Sequence, residues 1–126
     1  MSTSRDALER GNKARDLRVA AADMLSLANA AAITGVDEPR LARWAQRGRC
    51  IALEDSGGRQ WLPKWQFEPP LWDALLKLAK ALGTTDGWVL LAFLETPLGA
   101  LDGVTPRAAI ERGLADRVVR LACFDE

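Results

Sequence analysis

Arg40, Arg43, Gln46 and Arg47 fall within eight consecutive positions of a segment with helical apolar spacing. Guanidinium and carboxamide groups can give paired hydrogen bonds to the edges of guanine and adenine, and a guanidinium can also neutralise a phosphate. The chemistry these residues offer is recognition, with no bond made or broken. Arg43 and Gln46 are the expected base readers, and Arg40, Arg47, Arg49, Arg59 and Lys64 the expected phosphate contacts that set register. The plain alternative is a solvated basic face. Clustering favours the functional reading: residues 40–64 hold six basic against two acidic side chains, a balance of +4.

Bond-making chemistry has little to work with. The chain has no histidine, which removes Ser–His and Cys–His pairs and every His-containing metal site. No P-loop or GxGxxG run occurs. Cys50 and Cys123 lie far apart without metal-ligand spacing and read as buried or incidental thiols. The expectation is a protein that is not an enzyme, with no cofactor and no metal.

The elements that must present the basic side chains follow from residues 26–63. Ser26 can cap a first helix running to about Thr34, and Asp37 can cap a second, with Pro39 in its first turn, where a missing N–H costs nothing. Ala31 falls where two helices would touch, and Gly35 can take φ > 0 at the corner. Leu41 and Trp44, three apart, share the inward face. The second helix is expected to end at Gly48. Cys50–Glu54 and Gln60–Pro63 then flank a Gly57-Gly58 turn and read as a β-hairpin, with Pro63 restricting its strand to an edge. A helix-turn-helix followed by such a hairpin is a winged arrangement, in which the second helix can enter a major groove and Arg59 at the wing tip can reach a phosphate. Asp37 and Glu38 suit a helix N-terminus but repel phosphate, so modest DNA affinity is expected.

Before this unit, residues 1–12 are polar and read as frayed. Ala14, Leu17, Ala21, Met24 and Leu25 suggest one helix face. After it, Pro69-Pro70 opens a helix with Leu71, Leu75, Leu78, Ala79 and Leu82 on one side, closed by Gly83. Thr85 or Asp86 can cap Trp88–Glu95, which is apolar almost all round and is expected at the buried centre. An apolar loop, Leu98–Gly103, comes next. Thr105 then caps a helix ending near Gly113, and a last helix covers about Leu114–Cys123. The five tryptophans read as core, with Trp65 and Phe67 as a candidate hinge.

The chain has 126 residues, enough for one domain or two very small ones, and its 48% apolar content suffices for a core. The longest apolar run, Trp88 to Leu94, is too short to span a bilayer. No basic-then-apolar segment opens the chain. A cytoplasmic protein without a membrane partner is expected. Residues 1–67 hold 11 Lys/Arg against 8 Asp/Glu, and residues 68–126 hold 6 against 9. A basic front and an acidic back suggest two partners of different character.

The second half, from Trp88 through Thr96-Pro97, Leu101-Asp102-Gly103, Thr105-Pro106 and Ile110 to Gly113, resembles the toxin-binding domain of the MbcA/ParS/Xre antitoxins. The first half, ending in Gly58-Arg59 and Pro63-Lys64-Trp65-Gln66-Phe67, resembles an excisionase- or MerR-like winged helix-turn-helix. The resemblance implies a mainly α fold with a small β-hairpin. It divides the chain into residues 1–25 as an N-terminal helix or arm, 26–67 as a winged helix-turn-helix DNA-binding domain, and 68–126 as a small helical toxin-binding domain. It further implies an antitoxin that sterically neutralises a partner toxin, in this family usually an RES-type enzyme consuming NAD, and that binds double-stranded operator DNA as a homodimeric autorepressor. Trp88, Leu98, Leu101, Asp102, Gly103, Thr105, Asp125 and Glu126 are then the expected toxin contacts. The alternative reading is an excisionase-like or architectural DNA-binding protein of a mobile element. Members named after Xre carry an all-helical DNA-binding domain, whereas this chain has a wing.

Overall fold

A computed structural model describes residues 3–123, with side chains described from residue 8 onward. The protein is mainly helical with one small three-stranded antiparallel sheet. Helix α1 (Thr3–Val19) begins inside the stretch expected to fray and stops before Met24. The expected face running on to Leu25 is therefore corrected. Met24 and Leu25 lie in strand β1 (Met24–Ser26), where Leu25 pairs with Leu62 of β3 (Gln60–Pro63). Sheet pairing overrides the helical spacing there, and Leu17 is left largely in solvent.

Helices α2 (Leu27–Thr34) and α3 (Glu38–Gln46) follow. Ser26 Oγ accepts from the Asn29 amide and Asp37 Oδ1 from the Arg40 amide, so both caps form as read from the sequence. Gly35 between them has φ 75°, a left-handed corner. Ala30, one position earlier than expected, is the fully buried alanine of α2, in one cluster with Leu41, Cys50 and Leu62.

Strand β2 (Leu53–Glu54) pairs with β3, giving the order β1-β3-β2. The strand ending at Pro63 is thus central, where an edge position was expected. Pro63 is tolerated because it is the last residue of β3, opposite Met24, beyond the two pairs that β3 makes with β2.

A 3₁₀ turn (Lys64–Phe67) leads into α4 (Pro69–Leu82), α5 (Gly87–Glu95), a second 3₁₀ turn (Gly99–Leu101), α6 (Pro106–Glu111) and α7 (Ala115–Cys123). Only one side of α5 is core: Leu90, Leu91 and Leu94 are buried, while Val89 is half exposed. The larger core joins Val19, Ile51, Leu53 and Trp65 of the first half to apolar residues of α4, α5, α6 and α7. Two glycines allow this docking. A Cβ at Gly87 would overlap the Ala52 carbonyl oxygen, and one at Gly48 would meet the Ala79 and Thr85 side chains. No helix among the described residues is long and apolar enough to cross a membrane.

Candidate nucleic-acid interface

Helix α3 is held by its Asp37 cap and by Leu41, which is fully buried beneath it. Trp44 is half-buried, tilted against Trp72 with ring centroids 5.5 Å apart. With the inward face fixed, Arg40, Arg43, Gln46 and Arg47 are all exposed. Arg43 and Gln46 point most directly away from Leu41, since successive residues turn by about 100° around a helix. Arg40 leans back, its guanidinium 5.8 Å from the Trp44 ring. Glu38, in the first turn, is the exposed carboxylate of this helix.

Arg49 is turned inward. Its guanidinium lies 3.4 Å from the Trp72 ring centroid and donates to the Trp72 carbonyl at 2.8 Å, and burial draws its pKa down. Stacked on one face of an indole and bonded to backbone, it secures the segment after α3 and is not free to meet a phosphate.

The β2–β3 turn is organised by Asp55. Its carboxylate accepts from the Gly57 and Arg59 amides and from Trp61 Nε1, and these bonds, led by that of Trp61, hold its pKa below the usual range. A second carboxylate comes from α1: Asp16 accepts from the Ser56 amide at 2.9 Å and the Ser56 hydroxyl at 2.6 Å. Arg59 is exposed as expected, but at a turn shared with Glu54, Asp55 and Asp16, whose charges oppose its pull on a phosphate. The Asp-x-Gly spacing could have revealed the role of Asp55. Nothing local could have revealed Asp16, forty residues from its partner. Lys64 is exposed too, but it lines an apolar groove together with Glu68.

The residues expected to meet a protein partner divide by burial. Leu101 is buried in the larger core, where its side chain fills space beneath the second 3₁₀ turn, so it presents no contact surface. Leu98 is half-buried and its backbone pairs with Val104. Trp88 is half-buried: its Nε1 donates to the Glu54 carbonyl at 3.2 Å, and Arg15 lies 5.0 Å from its ring, so it ties α5 to the hairpin and α1. Thr105 Oγ1 accepts from the Ala108 amide as the cap of α6. Asp102 and Gly103 remain exposed, both with positive φ, and Asp102 is the one non-glycine residue in that conformation among the described residues. Asp125 and Glu126 lie outside the described residues.

Cys50 is buried, with its thiol pushed up to about 12 by desolvation, which keeps it protonated and unreactive. Among the described residues no group of three or more His, Cys, Asp or Glu could hold a metal ion. No family model, curated protein or solved structure matches this chain.

Proposed function

We propose that the protein is a DNA-binding regulator in which α2 and α3 form a helix-turn-helix and the β2–β3 hairpin its wing. The observation that carries this reading is the outward stripe of α3. Arg40, Arg43, Gln46 and Arg47 stand exposed on a helix whose other face is anchored by Leu41. Arg43 and Gln46 read bases, and Arg40 and Arg47 grip phosphates. Arg49 is withdrawn from this set and Arg59 is a minor member. With few cations and an opposing Glu38, affinity is modest and falls steeply with salt.

Under the same proposal the protein is an antitoxin and autorepressor, acting without catalysis. The support is the resemblance of residues 88–113, together with the exposed Asp102–Gly103 tip, where a non-glycine left-handed residue is the kind of local feature that clusters at binding sites. The helical second half blocks the toxin, and a dimer sets two α3 helices about one turn of DNA apart.

Fluorescence anisotropy on a panel of operator duplexes tests the DNA reading. Arg43→Ala should relax preference at one base pair, a loss of about 1–3 kcal/mol on the best site. Arg59→Ala should weaken all sequences slightly and alike. Identical behaviour of the two variants would refute the division of roles. For the antitoxin role, the whole chain is co-expressed with the product of the adjacent gene, because the second half shares its core with the first. Growth arrest that the chain relieves supports the role, and arrest that persists despite soluble antitoxin removes it.

A further inference from the structure

An apolar groove of about 430 Å³ opens beside α3. Ile33, Val36, Trp44, Phe67 and Trp72 line it, and the exposed Lys64 and Glu68 add one charge of each sign. Ile33, at the end of α2, is 59% exposed at the edge of this hollow. One patch therefore carries a projecting apolar side chain, a hollow able to receive it, a cation and an anion. Those are the requirements of an isologous contact, in which the same surface must complement itself across a twofold axis.

We propose that this face joins two copies of the chain, Ile33 of each entering the groove of the other and Lys64 of each facing Glu68 across the axis. A foreign apolar peptide could fill the hollow, but a second copy supplies in one surface an exposed Ile33 for it and an opposite charge for both Lys64 and Glu68. The contact leaves the two base readers free, while Arg40, whose guanidinium is 5.8 Å from the Trp44 ring, borders it. Arg43 lies about 100° and Gln46 about 160° around α3 from Trp44. Lys64 then belongs to the dimer contact and leaves the phosphate set. This pairing does not rest on the DNA-binding reading: Trp44 lies in the contact, so the two α3 helices are held side by side, and the one-turn spacing on a duplex belongs to a different arrangement of the two copies.

Sedimentation velocity of the full chain without DNA, over a micromolar to submillimolar range, is the test. The wild type should form a dimer, and Ile33→Asp should weaken it by at least about tenfold. Lys64→Glu should weaken it by placing like charges together, and adding Glu68→Lys should restore it. Circular dichroism checks that each variant folds, which the exposure of all three side chains favours. A wild type that stays monomeric, a dimer indifferent to Ile33→Asp, or a double exchange as weak as Lys64→Glu alone would overturn the proposal. A monomer that still binds DNA through Arg43 removes this dimer face and leaves the DNA reading standing. A dimer that obeys the exchange test but binds no duplex does the reverse.

Discussion

Gln66 shows at the scale of one residue how a polar side chain can belong in a core. It is fully buried, its Oε1 accepting from the Ile51 amide at 2.7 Å and its Nε2 donating to the Ile51 carbonyl at 2.8 Å. The carboxamide stands in for a neighbouring strand just before β2 begins. Gln66→Leu keeps the volume but orphans both backbone groups, at about 1–3 kcal/mol each. Urea denaturation should show a loss of about 3 kcal/mol, and a loss below about 1 kcal/mol would mean the backbone finds other partners. The same scale separates the arginines. Arg43 and Arg49 are alike in sequence, yet Arg43 faces water while Arg49 stacks on Trp72, so only one is available to a ligand.

Arg18 joins elements rather than residues. From the last turn of α1 it donates to both oxygens of Glu95 at the end of α5, and to both oxygens of Asp23 ahead of β1. Asp23 Oδ2 also accepts from Trp65 Nε1, which draws the 3₁₀ turn before α4 into the same network. The Arg18 hydrogen bonds, foremost, hold the Asp23 carboxyl at about 2, below its ordinary 3.8. A depressed folded value means the stabilisation is complete above about pH 4 and is lost as pH falls through about 2. Asp23→Asn should therefore be less stable than the wild type at neutral pH, by on the order of 1 kcal/mol for a partly solvated pair. The gap should close between pH 4 and 2 in denaturation series. A gap constant across that range would show that packing, not charge, makes the difference.

Across the whole molecule, the first and second halves meet through close backbone approach at Gly48 and Gly87 and through a common apolar core. Such continuity predicts one cooperative unfolding transition, with tryptophan fluorescence and circular dichroism coinciding. Gly87→Ala forces the start of α5 away from Ala52 and should cost about 1–3 kcal/mol, as overpacking does, while the transition stays single. Two separated transitions, in the wild type or the variant, would show that the halves fold independently. This coupling also bears on function. Trp88 holds the hairpin carbonyl of Glu54 and carries Arg15 of α1 on its ring, so a partner seated near the start of α5 would be felt at the β2–β3 hairpin.

Local chemistry alone was enough for the parts that depend on near neighbours. The caps at Ser26, Asp37, Asp86 and Thr105, the glycine corner at Gly35 and the helical spacing of α3 and α4 follow from interactions within a few residues, and all are in the structure. The exposed stripe of α3 was legible for the same reason, because Leu41 fixes which side must face inward. What needed the tertiary structure depends on residues distant in the chain. Met24 and Leu25 become strand because β3, almost forty positions on, offers a pairing edge. Arg49 leaves the candidate interface because Trp72 is there to receive it, and Leu101 because the core closes over it. Periodicity marks which side of an element is apolar, but only the packed chain decides which polar group finds a partner and which is left to meet a ligand.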